Sequence, residues 1–188
     1  IRMAFKSLDL KFTYEDFLLF PGDGKRHELI DGDHFVTPAP STRHQRISLR
    51  LATAIEVFLK DHPVGELFVA PCDVVLSNVD VVEPDLLFIA SSRLAIITER
   101  NIQGPPDLVV EILSDSTRKT DEVIKRKLYE RVGVKEYWIV DPDLETIKIH
   151  RKGQGGYALP ATLAREQDDH VTTPLLPGFQ VALEELFE

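Results

Sequence analysis

The sequence predicts an α/β domain in which helices cover the faces of a central β-sheet. Helical and strand-forming segments alternate along the chain, which is typical of this class. The chain has 188 residues, of which 43% are hydrophobic, and this is enough to bury one core without a metal or disulfide staple. We therefore expect a single domain over residues 1–188, with its core at about residues 12–152 and a loop-rich tail at about 153–188.

The N-terminal segment is predicted to form a short helix followed by a β-hairpin. Thr13 carries the hydroxyl of an N-cap residue and precedes acidic residues, so a helix begins there and ends before Pro21. Asp31-Gly32 tolerates the positive φ angles of a tight hairpin turn. It joins the strands that we predict at residues 27–30 and 34–36.

A long helix is predicted after the hairpin. Ser41 or Thr42 can cap it, and apolar residues recur at helical spacing as far as Asp61. Its expected exposed flank is basic and could contact the phosphates of a substrate. The candidate contacts are Arg43, His44 and Arg46. A solvated helix face is the alternative for each of them.

The middle of the chain is rich in residues that favour strands. The predicted strands are residues 66–70, 73–77, 85–90, 107–113, 136–140 and 146–150. Residues 117–132 are predicted to form another helix, with Gly133 as its left-handed cap residue. The tail is expected to end in a short amphipathic segment near residues 183–187, and we assign it no chemistry.

The charge and the cysteine content narrow the class of protein. The chain has 31 acidic and 22 basic residues, a formal net charge of -9, which argues against non-specific coating of nucleic acid but allows a local basic cleft. Cys72 is the only cysteine, as is typical of a reducing compartment. No apolar run has the length of a membrane span, and the first residues lack a signal-peptide core. We expect a cytoplasmic protein without a membrane partner.

Two predicted strands contain carboxylates where apolar residues are expected. Glu111 interrupts the run 107–113, and Asp85 stands at the start of the run 85–90. A buried ionised carboxylate costs several kcal/mol unless a cation compensates it. Carboxylate oxygens are the ligands that Mg²⁺ and Mn²⁺ prefer, and such an ion can activate water and stabilise charge on a phosphoryl group. The pattern therefore indicates phosphoryl-transfer chemistry.

The same acids could instead have ordinary structural roles. Glu111 could pair with Lys125 or Arg126 of the following helix. Asp85 could be a strand-end acid after a proline, and Glu28 could lie on a solvated face of the hairpin.

Lys125 is the candidate basic partner of the acids. It lies at the edge of the helix stripe that is predicted to pack on the sheet, so its long side chain could reach Glu111. A surface pair with Asp121, one helical turn earlier, is the alternative.

A series of short motifs occurs in order along the chain. They are Glu28-Leu-Ile-Asp-Gly, Ser41-Thr-Arg-His44, Glu83-Pro84-Asp85, Pro106-Asp-Leu-Val-Val-Glu111-Ile-Leu-Ser114, Ser116-Thr117, Asp121 with Lys125 and Tyr129, and Gly133-Val-Lys-Glu-Tyr-Trp-Ile-Val-Asp141-Pro. With this ordered set, the chain resembles the Uma-two family of restriction-endonuclease-like proteins, in the PD-(D/E)XK nuclease superfamily, over about residues 12–152.

The resemblance implies a restriction-endonuclease-like core, which is a mixed central β-sheet flanked by helices, with an N-terminal helix and β-hairpin. Asp85 and Glu111 would be the metal-binding catalytic acids, and Glu28 an additional acid at the metal. The superfamily pattern asks for lysine at position 113, where this chain has Leu113. The resemblance implies that Lys125 supplies the missing amine from the following helix.

These inferences predict a Mg²⁺- or Mn²⁺-dependent endonuclease that hydrolyses phosphodiester bonds, with DNA as its expected partner. The resemblance also implies a homodimer, because two-fold symmetry suits cleavage of two strands. The alternative is a nucleic-acid-binding or protein-binding module that keeps the fold without turnover. Retention of three acids favours the enzyme.

Overall fold

The helices lie close to the positions that the sequence predicts. The computed structural model of the protein describes residues 10–188. Its α-helices are α1 (Tyr14–Phe17), α2 (Thr42–Asp61), α3 (Arg126–Val132) and α4 (Leu183–Phe187). Thr13 caps α1 in a capping box, and Ser41 caps α2 by accepting a hydrogen bond from the His44 amide. None of the described helices combines the length and the apolar character needed to cross a membrane.

The strands form mixed and antiparallel sheets. They are β1 (Arg26–Ile30), β2 (Asp33–Thr37), β3 (Gly65–Val69), β4 (Val74–Ser77), β5 (Asp80–Val82), β6 (Leu86–Ala90), β7 (Ile102–Gln103), β8 (Leu108–Ile112), β9 (Glu136–Asp141), β10 (Thr146–Gly153), β11 (Gly156–Tyr157), β12 (Ala161–Ala164), β13 (His170–Thr172) and β14 (Gln180–Ala182). The larger sheet has the order β11-β10-β9-β8-β6-β3, with β12 also paired to β10. The smaller has the order β2-β1-β5-β4-β7, and β13 pairs with β14.

The central strands of the larger sheet are apolar on both faces. Leu86 and Phe88 of β6 pack in a core with α2, whereas Leu87 and Ile89 pack in a second core on the opposite face. This division follows from the alternation of side chains along a strand. Strand β8 pairs antiparallel with β6 and parallel with β9, so the sheet is mixed, as the family resemblance implies. Helix α3 contributes to the second core.

The segment after residue 152 is more ordered than the sequence predicts. Instead of a loop-rich tail, it forms strands β11 to β14 and helix α4. Its buried apolar residues join the core beside α2; they are Val171, Leu176, Phe179, Val181, Leu183, Leu186 and Phe187. The strands of this segment have two to four residues each, too few for a clear period-two pattern, so the sequence signal was weak.

Candidate active site

Asp85 and Glu111 share one face of the larger sheet. Leu86 of β6 lies opposite Val110 of β8 in the antiparallel register. One further step along both strands sets Asp85 opposite Glu111, and residues opposite each other in an antiparallel pair point to the same face. The side chains of Asp85 and Glu111 are 3% and 1% exposed. The sheet therefore places two buried carboxylates side by side, at the strand positions where the sequence has unexpected charges.

Lys125 connects Glu111 to two more acids. Its Nζ atom lies 2.9 Å from Oε1 of Glu28, 3.0 Å from Oε1 of Glu111 and 3.4 Å from Oδ1 of Asp121. Tyr129 donates a hydrogen bond to the same Oε1 atom of Glu111, over 2.9 Å. Both expected partners of Lys125 are thus present, and Glu28 is a third. Leu113 is buried in the second core, so the cation near Glu111 comes from the helix.

A local π-helix presents Lys125 and Asp121 to the sheet. Residues Thr120–Lys125 form this π-helical segment directly before α3, where the sequence predicts an ordinary helix. Single π-turns within helices occur frequently at functional sites. Asp121 and Lys125 are each 2% exposed. Gly133, with φ of 88°, ends α3 in the left-handed conformation that the sequence predicts.

Asp85 is held by three donors. Arg26 donates to its Oδ1 atom over 2.7 Å, while His44 Nε2 and the Ile112 amide donate to Oδ2 over 3.0 and 2.7 Å. Burial would raise the pKa of Asp85, but the hydrogen bond from His44 and the charge of Arg26 lower it below its ordinary value. Asp85 is therefore ionised and fixed in orientation. Glu28, the fourth acid, accepts a hydrogen bond from the Glu83 amide over 2.9 Å.

The buried charges of this site do not balance. Four carboxylates, those of Glu28, Asp85, Glu111 and Asp121, face two permanent cations, Arg26 and Lys125. Burial raises the pKa of Glu111 to about 8, although Lys125 acts in the opposite direction, and burial also raises the pKa of Asp121. For Lys125, burial would lower the pKa, but the surrounding acids raise it well above its ordinary value. The site is a buried anionic centre with a protonated lysine.

The anionic centre opens into a cleft of about 360 Å³. Glu111, Asp121, Lys125, Arg26 and His44 line the cleft. Its other walls are formed by residues 37–41, 112–117 and 142–143. A molecule that enters the cleft can therefore reach the carboxylates of Glu111 and Asp121 and the ammonium group of Lys125.

The three predicted phosphate contacts lie in different surroundings. His44 is 6% exposed and donates to Asp85, so it does not lie on a solvated flank of α2; the helix begins close enough to the sheet for the side chain to turn inwards. Arg43 is exposed, lines the cleft and pairs with Glu145 over 3.0 Å. Arg46 is also exposed but is not among the residues that line the cleft.

Arg26 is the site residue that the sequence analysis missed. It stands at the start of β1, where a basic residue is typical of a solvated hairpin. One signal in the sequence could have identified it. Glu28 follows Arg26 by two residues, and residues two apart in a strand point to the same face. Assignment of Glu28 to the site therefore predicts that Arg26 lies there too.

The donor set fits a divalent cation of the Mg²⁺ type. All four acids supply oxygen atoms, the ligands that such ions prefer, and they outnumber the two permanent cations beside them. Oδ1 of Asp121 is buried and, within residues 10–188, has an ion-pair contact with Lys125 at 3.4 Å but no hydrogen bond. However, no three His, Cys, Asp or Glu side chains within this range already surround a common point. Binding of a metal ion would therefore require a rearrangement of these side chains.

The raised pKa of Glu111 predicts that the metal-free protein loses stability as the pH rises. With an ordinary pKa of 4.5 when unfolded and a pKa of about 8 when folded, this carboxyl group binds a proton only in the folded state between those values. The free energy of unfolding should therefore fall between about pH 5 and pH 8 and level off above that. Urea unfolding at several pH values will measure this fall. The Glu111→Gln variant should show a flatter profile, and equal slopes in the two proteins would contradict the assignment.

Comparisons with known proteins agree with the fold. Residues 14–184 match the model of the Uma2 family, whose description is "putative restriction endonuclease". A crystal structure described as "a putative nuclease belonging to DUF820", from Anabaena variabilis, has a TM-score of 0.78 and 22% sequence identity, and the match covers 94% of this chain and 97% of that chain. No curated protein matches the chain. Because the family model spans most of the sequence, the protein belongs to the Uma2 family of restriction-endonuclease-like proteins.

Proposed function

We propose that the protein is a metal-dependent endonuclease that hydrolyses phosphodiester bonds of DNA, with Mg²⁺ or Mn²⁺ as its metal. The observation that carries this proposal is the excess of buried carboxylates beside Lys125 at a cleft. Hydrolysis of a phosphodiester needs compensation of negative charge and an activated water, and a divalent ion bound to such acids supplies both. We also propose a cytoplasmic homodimer, on the basis of the single cysteine and of the two-fold symmetry of duplex DNA.

The residues of the chain have distinct roles in this mechanism. Asp85, Glu111 and Glu28 would hold the metal, and Asp121 adds a fourth carboxylate beside them. Lys125 remains protonated, so it would stabilise charge on the phosphate rather than accept a proton from water. His44 acts through Asp85, whose orientation it fixes.

A plasmid-nicking assay in Mg²⁺ or Mn²⁺ tests the proposal. Wild-type protein should nick the plasmid only with added metal, and Glu111→Gln should abolish nicking, because it removes a charged ligand. Glu99→Gln changes an exposed glutamate in the same way and should leave the activity unchanged. Fluorescence of the buried Trp138 checks that each variant is folded. Equal nicking by Glu111→Gln and wild type would contradict the assigned site.

One observation favours the second candidate function, a binding module without turnover. Arg26 already compensates Asp85 with an ion pair of 2.7 Å, so one of the carboxylates that would hold the metal already has a positive partner in the chain. A binding module would shift DNA in a gel but would not cut it at any metal concentration. The nicking assay and the gel shift together separate the two functions.

DNA binding should weaken with salt, and Arg43 should contribute to it more than Arg46. A phosphate contact releases counterions, so the logarithm of the affinity falls with the logarithm of the salt concentration, by about one unit of slope per contact. Arg43→Ala should reduce both the affinity and this slope, because Arg43 lines the cleft. Arg46→Ala, on the same helix, should have the smaller effect. Fluorescence anisotropy with labelled DNA measures both; affinity that does not depend on salt would contradict phosphate binding.

A further inference from the structure

A second group of metal-ligating side chains lies on the N-terminal hairpin, on the strand face opposite to Glu28. Nδ1 of His27 in β1 and Nε2 of His34 in β2 are 2.9 Å apart. His27 and Glu28 are neighbours in β1, so their side chains point to opposite faces of the strand. The histidine pair is therefore separate from the carboxylates that line the cleft.

The two rings face each other through their nitrogen atoms. The ring centroids are 5.1 Å apart and the ring planes differ by only 10°, so the rings meet edge to edge. Two imidazole nitrogens bound to one zinc ion at about 2.0–2.1 Å in tetrahedral geometry lie about 3.3 Å apart. The observed separation of 2.9 Å is within a few tenths of an ångström of this value, and the hydrogen bond between the rings stands where a metal ion could bind.

Asp23 fixes the form of His27 that a metal requires. Oδ1 of Asp23 lies 2.9 Å from Nε2 of His27. A carboxylate oxygen accepts this hydrogen bond from Nε2 of His27, and Nδ1 of His27 is the nitrogen that faces His34. A carboxylate that accepts the second N–H group of a ligating histidine is the usual outer partner at metal sites.

Two aromatic side chains, Phe12 and Phe20, lie beside the histidine pair and are called the aromatic wall here. The ring of Phe20 lies 4.4 Å from that of His34 and 5.8 Å from that of His27, and Phe12 contacts His34 at 6.1 Å. These rings come from the segment that precedes the hairpin. An ion held by the two histidines would therefore hold the hairpin against this wall and stabilise the N-terminal part of the fold.

We propose that His27 and His34 bind a transition-metal ion such as Zn²⁺ or Ni²⁺, with Asp23 as the outer partner of His27 and water in the remaining positions. Two metal–nitrogen bonds form, and the proton that His34 shares with His27 moves from Nε2 to Nδ1 of His34 by exchange with water, so both imidazoles bind as neutral ligands with no net loss of a proton. Imidazole ligands suit Zn²⁺, Ni²⁺ and Cu²⁺, whereas Mg²⁺ prefers oxygen. In this proposal, one face of β1 carries imidazole nitrogen ligands for a transition metal, and the other face carries the carboxylate of Glu28.

Calorimetric titration of the full-length protein with ZnCl₂ tests this proposal. Wild type should bind Zn²⁺ saturably, with a stoichiometry of one ion per chain. His34→Gln, at an exposed position, should lose this binding, and Zn²⁺ should no longer raise its melting temperature. His170→Gln, which changes another exposed histidine, should retain both effects.

The Glu111→Gln variant separates this site from the proposed nuclease centre. It should keep the zinc binding of wild type even though its nicking activity is lost. Zinc binding that survives in His34→Gln, or that disappears in Glu111→Gln instead, would overturn the assignment to the histidine pair. Absence of saturable zinc binding in wild type would also overturn it and would leave the nuclease proposal untouched.

Discussion

Replacement of Lys125 by methionine should destabilise the metal-free protein by about 3–5 kcal/mol, the range for a buried ion pair that loses one partner. Methionine is unbranched and only one atom shorter than lysine, but it leaves the carboxylates of Glu28, Glu111 and Asp121 without the ammonium group that they share. All of these side chains are almost completely buried, so solvent cannot replace the lost interaction. The decrease in the free energy of unfolding should be smaller near pH 5 than near pH 8, because at the lower pH the acids can bind protons and lose their negative charge.

Urea unfolding, followed through Trp138, measures this effect. Lys127→Met is the matched control, since Lys127 is exposed two residues further along the same helix, and it should change the free energy of unfolding by less than about 0.5 kcal/mol. An equal loss in the two variants would show that the Lys125 effect comes from the helix and not from the carboxylates.

The same variant tests the catalytic role that we propose for Lys125. If its ammonium group stabilises charge on the phosphate, cleavage should fall by about 10²–10³-fold in Lys125→Met, the usual cost of removing one such donor. Lys125→Arg restores the charge with a different shape and should rescue cleavage only in part. Binding of Mn²⁺, measured by electron paramagnetic resonance, should persist in Lys125→Met. Full activity of folded Lys125→Met would contradict this role.

Much of the candidate site could be predicted because charge is conspicuous in apolar strands. Glu111 and Asp85 stand in or beside runs whose other residues are buried, and Lys125 is spaced to reach the sheet from its helix. The fold class followed from the same runs and from the caps at Thr13, Ser41 and Gly133. These signals are local, and each can be read within one element.

The features that were missed depend on contacts between distant elements. Arg26 reaches Asp85 across 59 residues of chain, and His44 reaches it across 41. Neither residue differs, in its local sequence, from a solvated basic residue. The inward turn of His44 depends on where the N-terminus of α2 meets the sheet, which the helical period alone does not determine.

The C-terminal segment was misjudged for a related reason. Its strands are short and separated by Pro174 and Pro177, so local patterns favour loops. Its apolar residues nevertheless cover the side of α2 that carries Ile47, Leu51 and Ile55. These residues become part of the core only through tertiary contacts with α2, which local sequence patterns do not show.

A chain that ends at Asp168 should therefore fail to fold. The deletion removes seven apolar residues that are buried in the core with α2, including Phe179 and Leu183. Burial of each such side chain contributes about 1.5–3 kcal/mol, so their combined loss is comparable to the whole stability of a typical domain, about 5–15 kcal/mol. Circular dichroism and Trp138 fluorescence should show loss of the native state. A cooperative unfolding transition in the shortened chain would contradict this role of the segment.

A point variant tests the same contact in a chain that still folds. Phe179 is 3% exposed, and its ring lies 5.6 Å from that of Phe58 in an edge-to-face arrangement. Phe179→Ala should lower the free energy of unfolding by about 3–5 kcal/mol, since it removes buried surface and leaves a cavity. Leu159→Ala, in the same segment but at a side chain that is 96% exposed, should lower it by less than about 0.5 kcal/mol. Equal stability of the two variants would mean that the segment lies against α2 without stabilising it. The expected difference would show that the segment completes the core that supports α2. That helix in turn carries His44, which contacts Asp85.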